Sequence, residues 1–261
     1  MIELPRQGPG PAYAAIMLLA IATAVLLKRR GDRSRPLPMS PTQRWGIALW
    51  AFCGAMIGAK LPYVLLDWEG LASGRAWFDN GKTILFGLVG GYLGVELAKA
   101  MLDVRVKTGD SFAVPVAAAV AVGRLACFVG GCCYGTPTGL PWGVRFHDGI
   151  PRHPTQLYEA AFHASAAVFL AWAGRRGLFR FQRIKLYIMA YLIYRFFTEF
   201  IRPEPVVAMG LTTYQWGALV LLPVFAWLWR RDARAQGIFP EGPMPYRDAD
   251  ADGPDAGRRA G

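Results

Sequence analysis

Seven apolar runs recur along this chain, most of them close to the ~20 residues that a helix needs to cross hydrocarbon. They cover about 12–27, 45–66, 83–102, 112–129, 156–173, 186–201 and 211–229. A chain built this way has one economical solution, an all-α bundle of about seven transmembrane helices, because a helix satisfies its own backbone where no water can. Hydrophobic residues make up 54% of the chain and charged residues only 18%, so the remaining polar surface is too small for a water-soluble domain of this length. The segment 1–236 reads as one membrane domain. The segment 237–261, rich in Pro, Gly, Asp and Arg, reads as a disordered cytoplasmic tail.

The net charge of +11 raises the question of nucleic acid. The positions of the charges answer it. Lys28, Arg29, Arg30, Arg33 and Arg35 follow the first run, and Lys99, Arg105 and Lys107 the third. Arg175, Arg176, Arg180, Arg183 and Lys185 follow the fifth, and Arg230, Arg231 and Arg234 the seventh. The intervening connections are poorer in Lys and Arg. Basic segments on alternate connections put the C-terminus in the cytoplasm and the N-terminus outside. No basic domain is left over to bind nucleic acid. The first run has its positive charges after it rather than before, so it reads as a permanent span and not as a cleaved signal peptide.

Ionisable groups inside spans cost on the order of 2.5–3.5 kcal/mol each at a helix centre, so each must be paired or useful. Arg124 lies near the outer end of the fourth run. Arg195, Glu199 and Arg202 lie in the sixth, at spacings of four and three that place them on one helical face. Glu199 can pair with either arginine, which leaves positive charge to spare. An arginine fork matches a phosphate bidentately, so this cluster suits a phospholipid headgroup. The plainer reading is an ion-pair network bracing two spans. Lys60 reads as structural, and Glu96 with Lys99 as a pair at the cytoplasmic end.

Three further features are open to two readings. Gly87-x-x-x-Gly91 and Gly90-x-x-x-Gly94 are small-residue spacings that let helices approach closely, or a backbone held open for a lipid. His153, at the entrance of the fifth run, is a candidate acid or base, and equally an ordinary hydrogen-bonding residue. Cys127-x-x-x-x-Cys132-Cys133 is not a standard zinc pattern, and no other Cys or His pair completes four ligands. These cysteines read as small packing residues, with a redox role as the alternative, and no metal or cofactor is expected.

Four segments resemble the prolipoprotein diacylglyceryl transferase family: Gly58-Ala59-Lys60-Leu61-Pro62-Tyr63-Val64, Gly123-Arg124-Leu125-Ala126-Cys127-Phe128 continuing to Tyr134-Gly135, Arg152-His153-Pro154-Thr155-Gln156-Leu157-Tyr158-Glu159-Ala160, and Tyr194-Arg195-Phe196-Phe197-Thr198-Glu199-Phe200-Ile201-Arg202. Gln215-Trp216 adds a fifth point of likeness. The resemblance implies transfer of a diacylglyceryl group from phosphatidylglycerol to the lipobox cysteine thiol of a prolipoprotein signal peptide, at the outer face of the bacterial inner membrane. It implies catalytic roles for Arg124, Arg195, Glu199, Arg202 and His153. It also implies substrate contacts at Tyr13, Gly87, Gly135, Gln156 and Tyr158.

The chain departs from the family pattern at three points. Its His-Gly-Gly segment is here Leu85-Phe86-Gly87, its signature Asn is Cys127, and its signature Glu is Cys132. A mechanism that uses that histidine as base cannot run unchanged, with Lys82 or His153 as substitutes. Two alternatives remain open at this point: a membrane transferase with another acceptor, and a non-catalytic lipid-binding protein. A pocket between the third, fourth and sixth spans is expected.

Overall fold

The computed structural model describes residues 10–34, 36–77 and 83–235. Its long helices are α1 (Pro11–Ser34), α2 (Pro41–Leu66), α4 (Ile84–Met101), α5 (Gly109–Val129), α6 (Thr155–Arg175), α7 (Arg183–Thr198) and α8 (Thr213–Ala235), with a short α3 (Trp68–Ser73) after α2. Each of the seven apolar runs is a helix, and the protein is an all-α polytopic membrane protein. By length and composition α1, α2, α4 and α5 are apolar enough to cross a bilayer. Helix α7 is only 16 residues long, and α6 and α8 carry inward-facing charged and amide groups that lower their hydropathy. Arg35, Lys82 and the tail from 237 lie outside the described residues.

The distribution of side chains is that of a membrane protein. Leu18, Leu19, Phe52, Ile57, Val168 and Phe197 face outward, whereas Lys60, Arg124, Gln156, Glu159, His163, Lys185, Arg195 and Glu199 are buried. Such an arrangement would lose hydrophobic stabilisation in water and lose none against lipid. Helices α1, α2 and α8 run several residues beyond their apolar stretches. The hydrophobic run marks what lies in hydrocarbon, and the helix continues into the basic end, where Lys28 pairs with Asp32 one turn on at 2.6 Å.

Two contacts set the bundle. Helix α2 crosses α4 so closely that a Cβ on Gly54 or Gly90 would strike the other's carbonyl oxygen, and one on Gly58 or Gly94 would strike Phe86 or Trp50. Of the small-residue spacings in the third run, Gly90 and Gly94 make this contact. Gly54-x-x-x-Gly58 on α2 is the matching surface, distinguished from other glycine pairs only by this contact. Gly87 is part of the same seam, against Ala55 and Ala59. The other contact is centred on α5, which packs against α1, α6 and α7. The buried core joins α4, α5, α6, α7 and α8 through Leu85, Ala117, Leu170, Tyr187, Tyr191 and Phe225.

The basic end is tied by ion pairs. Asp110 accepts Arg183 Nη2 at 2.6 Å, and Asp232 accepts Lys185 at 2.6 Å and Lys107 at 3.1 Å. Lys99 meets Glu96 at 3.1 Å, as the sequence suggested. The opposite end carries the long α5–α6 connection and two small antiparallel hairpins: β1 (Val144–Arg145) with β2 (Pro151–Arg152), and β3 (Val206–Ala208) with β4 (Leu211–Thr212).

Candidate active site

The first determinant of the site is where α7 stops. The sequence spacing places Arg195, Glu199 and Arg202 on one continuous helical face. The α-helix instead ends at Thr198, a single 3-10 turn covers Glu199–Ile201, and Arg202 is already extended at φ −115°. Among the described residues Glu199 therefore forms an ion pair with Arg195 alone, at 2.9 Å. Thr212 Oγ1 donates to the other Glu199 oxygen at 2.9 Å, which fixes the carboxylate from the α8 side. Arg202, released from the helix, turns inward.

It turns toward Glu159, the hub of the site. This glutamate lies one turn into α6 and is 1% exposed, so it must be matched fully by partners. Arg124 Nη2 from α5 approaches it at 2.5 Å, Arg202 Nη1 at 3.5 Å and Arg195 Nη1 at 3.9 Å, and Tyr191 Oη donates to it at 2.5 Å. One carboxylate thus gathers three guanidinia from three different elements. In the sequence Glu159 stands only within a segment that resembles the family, with no role of its own.

The buried charges do not cancel. Three arginines against Glu159 and Glu199 leave one positive charge, and half-buried Glu204 lies 3.9 Å from Arg202 at the edge of the group. Among the described residues, Arg124 Nε, Arg195 Nη1 and Arg202 Nε are buried donors with no hydrogen-bond partner. Buried donors are seldom left unmade in a finished protein core. The spare donors, beside a positive charge that is offset only by the partly exposed Glu204, suit an anion.

Those arginines open onto a cavity of about 630 Å³. Its walls come from α1 (Tyr13, Met17), the start of α4 (Ile84, Leu85), α5 (Val120, Arg124, Cys127) and α7 (Tyr191, Arg195), closed by Tyr63 and Tyr214. The expected pocket between the third, fourth and sixth spans is present, and α1 supplies a further wall. Tyr63 and Tyr214 hydroxyls meet at 3.2 Å, and the Tyr214 ring lies under Arg195 at 4.3 Å. The cavity is charged at one end and apolar along α1 and α5, which is the polarity of a phospholipid.

The remaining sequence-predicted residues stand around this cavity rather than in its wall. Gly135 allows the α5–α6 connection to press against the end of α7. A Cβ there would lie 2.6 Å from Ile201 O and 2.7 Å from His153 Cβ. His153 bridges the same connection: its carbonyl accepts from Gly135 N–H at 2.8 Å, and its Nδ1 lies 3.4 Å from Tyr158 Oη. Trp142 Nε1 donates to that hydroxyl at 2.8 Å. Gln156 is fully buried and donates to the Cys132 carbonyl. Gly87 is in the α2–α4 seam described above. In the hairpin, Asp148 is held below the usual carboxylate range. Its slight burial acts the other way, and the Arg152 hydrogen bond and the Ile150 N–H prevail.

Cys132 and Cys133 are exposed and Cys127 is half-buried, and all three border the cavity.

The model of the family described as prolipoprotein diacylglyceryl transferase matches residues 10–231. The phosphatidylglycerol–prolipoprotein diacylglyceryl transferase of Clostridium tetani is 33% identical over 204 residues, covering 74% of this chain and 81% of the relative. That of Methylococcus capsulatus is 30% identical over 81% of this chain and 86% of the relative. That of Nitratidesulfovibrio vulgaris is 30% identical over 90% and 97%. No solved structure matches the chain. With the match running from the start of α1 to within the last turns of α8, the chain belongs to the prolipoprotein diacylglyceryl transferase family.

Proposed function

We propose that this protein transfers the diacylglyceryl group of phosphatidylglycerol to the lipobox cysteine thiol of a prolipoprotein signal peptide, at the outer face of the inner membrane. The observation that carries this reading is the group of three buried arginines with unpaired donors at the polar end of a lipid-shaped cavity. The names of the relatives supply the two substrates.

The chemistry follows from the placement. The phosphate of phosphatidylglycerol enters between Arg124, Arg195 and Arg202, and its acyl chains lie along the apolar walls of α1 and α5. When the acceptor sulfur attacks the glyceryl carbon, the S–C bond forms as the C–O bond breaks. Glycerol phosphate departs with the electron pair. Negative charge grows on the departing phosphate, and fixed guanidinia aimed there stabilise it without having to reorganise. Glu159 and Glu199 are positioning residues that hold the arginines at that spot. Tyr13 at the α1 wall contacts the lipid. Gly135, His153, Gln156 and Tyr158 keep the outer connection seated over the site, and Gly87 keeps α4 against α2.

The purified protein in detergent, given phosphatidylglycerol and a lipobox peptide, releases glycerol phosphate in step with peptide lipidation. Replacing Arg124 or Arg202 by Ala lowers turnover by about 10²–10³-fold, as loss of a transition-state donor does elsewhere, while the protein still elutes as a folded species. Full turnover in both folded variants would leave the arginines with a bracing role only.

A further inference from the structure

The end of α5 is built so as to bring cysteines together. Cys132 N–H donates to Cys127 C=O at 3.1 Å, Gly131 N–H donates to Phe128 C=O at 3.1 Å, and Gly131 is left-handed at φ +64°. This is a Schellman termination, in which the sixth residue folds back over the first and their side chains meet. Where an apolar pair is usual, this chain has Cys132 over Cys127. The next residue, Cys133, is also left-handed at φ +62°. A non-glycine residue pays for that conformation, and here it directs a third thiol to the same point. All three sulfurs lie within 4.8 Å of one another.

The loop is held from outside the cluster. Thr155 Oγ1 donates to Cys133 C=O at 2.8 Å, and Gln156 Nε2 donates to Cys132 C=O. The thiols are thus preorganised by backbone contacts with the start of α6. Arg124 Nη1 stands 3.9 Å from Cys127 Sγ.

We propose that Cys127, Cys132 and Cys133 form a three-thiolate site for zinc(II), whose fourth position faces the cavity and takes a thiol. Zinc–sulfur bonds of ~2.3 Å in a tetrahedron place sulfurs roughly 3.8 Å apart, so the cluster has to tighten by about 1 Å at most. Three thiolates and one Zn²⁺ carry a single negative charge, beside the Arg124 guanidinium. Three protein ligands with an open fourth position are the pattern of a catalytic rather than a structural zinc.

The fourth ligand rests on the transferase reading; the metal site does not. A thiol that binds the zinc gives up its proton to water, because coordination deprotonates it. Its sulfur then attacks the glyceryl carbon as glycerol phosphate leaves. Among the described residues the cavity wall holds no histidine, and its one carboxylate, Glu204, sits beside Arg202. Zinc supplies a thiolate at the wall without calling on a base among the described residues.

The test is elemental analysis of the full-length protein in detergent, reduced, supplied with zinc chloride and desalted. About one zinc per chain is expected. It is lost in Cys127→Ser, Cys132→Ser and Cys133→Ser and kept in Cys53→Ser, which lies on α2 outside the cluster. Cobalt(II) loading of the wild type should give sulfur-to-cobalt charge-transfer absorption that the triple Ser variant lacks. Thermal unfolding in parallel reports whether each variant is folded. A reduced, folded wild type that takes up no zinc, or a triple variant that retains it, overturns the site. Zinc uptake without any lipid transfer would overturn the transferase reading and leave the metal site standing. Undiminished transfer by the zinc-free triple variant would overturn the fourth-ligand assignment.

Discussion

Glu159 holds together charges that would otherwise repel. Replacing it by Gln keeps the shape and removes the charge, leaving three buried guanidinia with Glu199 as their one fully buried carboxylate. Breaking a buried ion pair by removing one partner costs about 3–5 kcal/mol. Glu159→Gln should therefore lower the unfolding temperature in detergent well beyond the effect of Tyr191→Phe, which loses one hydrogen bond to a charged acceptor worth ~1.5–3 kcal/mol. Equal effects of the two changes would mean that Glu159 is not the hub. This residue also shows the limit of reading a sequence. Arg124, Arg195, Glu199 and Arg202 were visible because a charge in an apolar run is anomalous by itself. Glu159, close to a helix entrance, is anomalous only once α5, α6 and α7 are folded around it. The role proposed for the cysteines is hidden for a related reason: it rests on the termination geometry of α5, with Gly131 at its left-handed position, and not on the spacing of metal-binding motifs.

At the scale of elements, the helices were legible and their contacts partly so. Apolar period and length identify a span, but the α2–α4 seam depends on two surfaces of small residues meeting, and the α2 half has meaning only once α4 is packed on it. The seam makes a paired prediction. Gly90→Leu places a side chain into the Gly54 and Gly58 backbone and should abolish the monodisperse folded species on size exclusion. Gly31→Ala in α1 meets nothing within 4 Å and should be neutral or stabilising by up to ~1 kcal/mol, as expected of Gly to Ala in a helix. The end of α7 was the other point at which periodicity misled. Pro203 biases Arg202, the residue before it, out of the helical region, so the chain is extended there and Arg202 is free to reach Glu159.

For the whole molecule, the arrangement separates two ends by function. The basic end is locked by Asp110–Arg183 and Lys185–Asp232–Lys107, and the other end carries the cavity, the arginines and the cysteines. The charge asymmetry predicts that the cavity end faces outward, where secreted preproteins emerge. Single cysteines introduced into a Cys-free background, at Gly139 in the α5–α6 connection and at Gly177 after α6, test this with an impermeant thiol reagent on intact cells. Gly139→Cys should label and Gly177→Cys should not; the reverse pattern would invert the topology.

The most direct test of the central claim is complementation of a bacterium depleted of its own diacylglyceryl transferase, followed by the gel mobility of a model lipoprotein. The wild-type chain should convert the precursor, and Arg195→Ala at the same protein level should not. A well-expressed wild type that leaves the precursor unmodified, or an Arg195→Ala variant that converts it fully, would contradict the account.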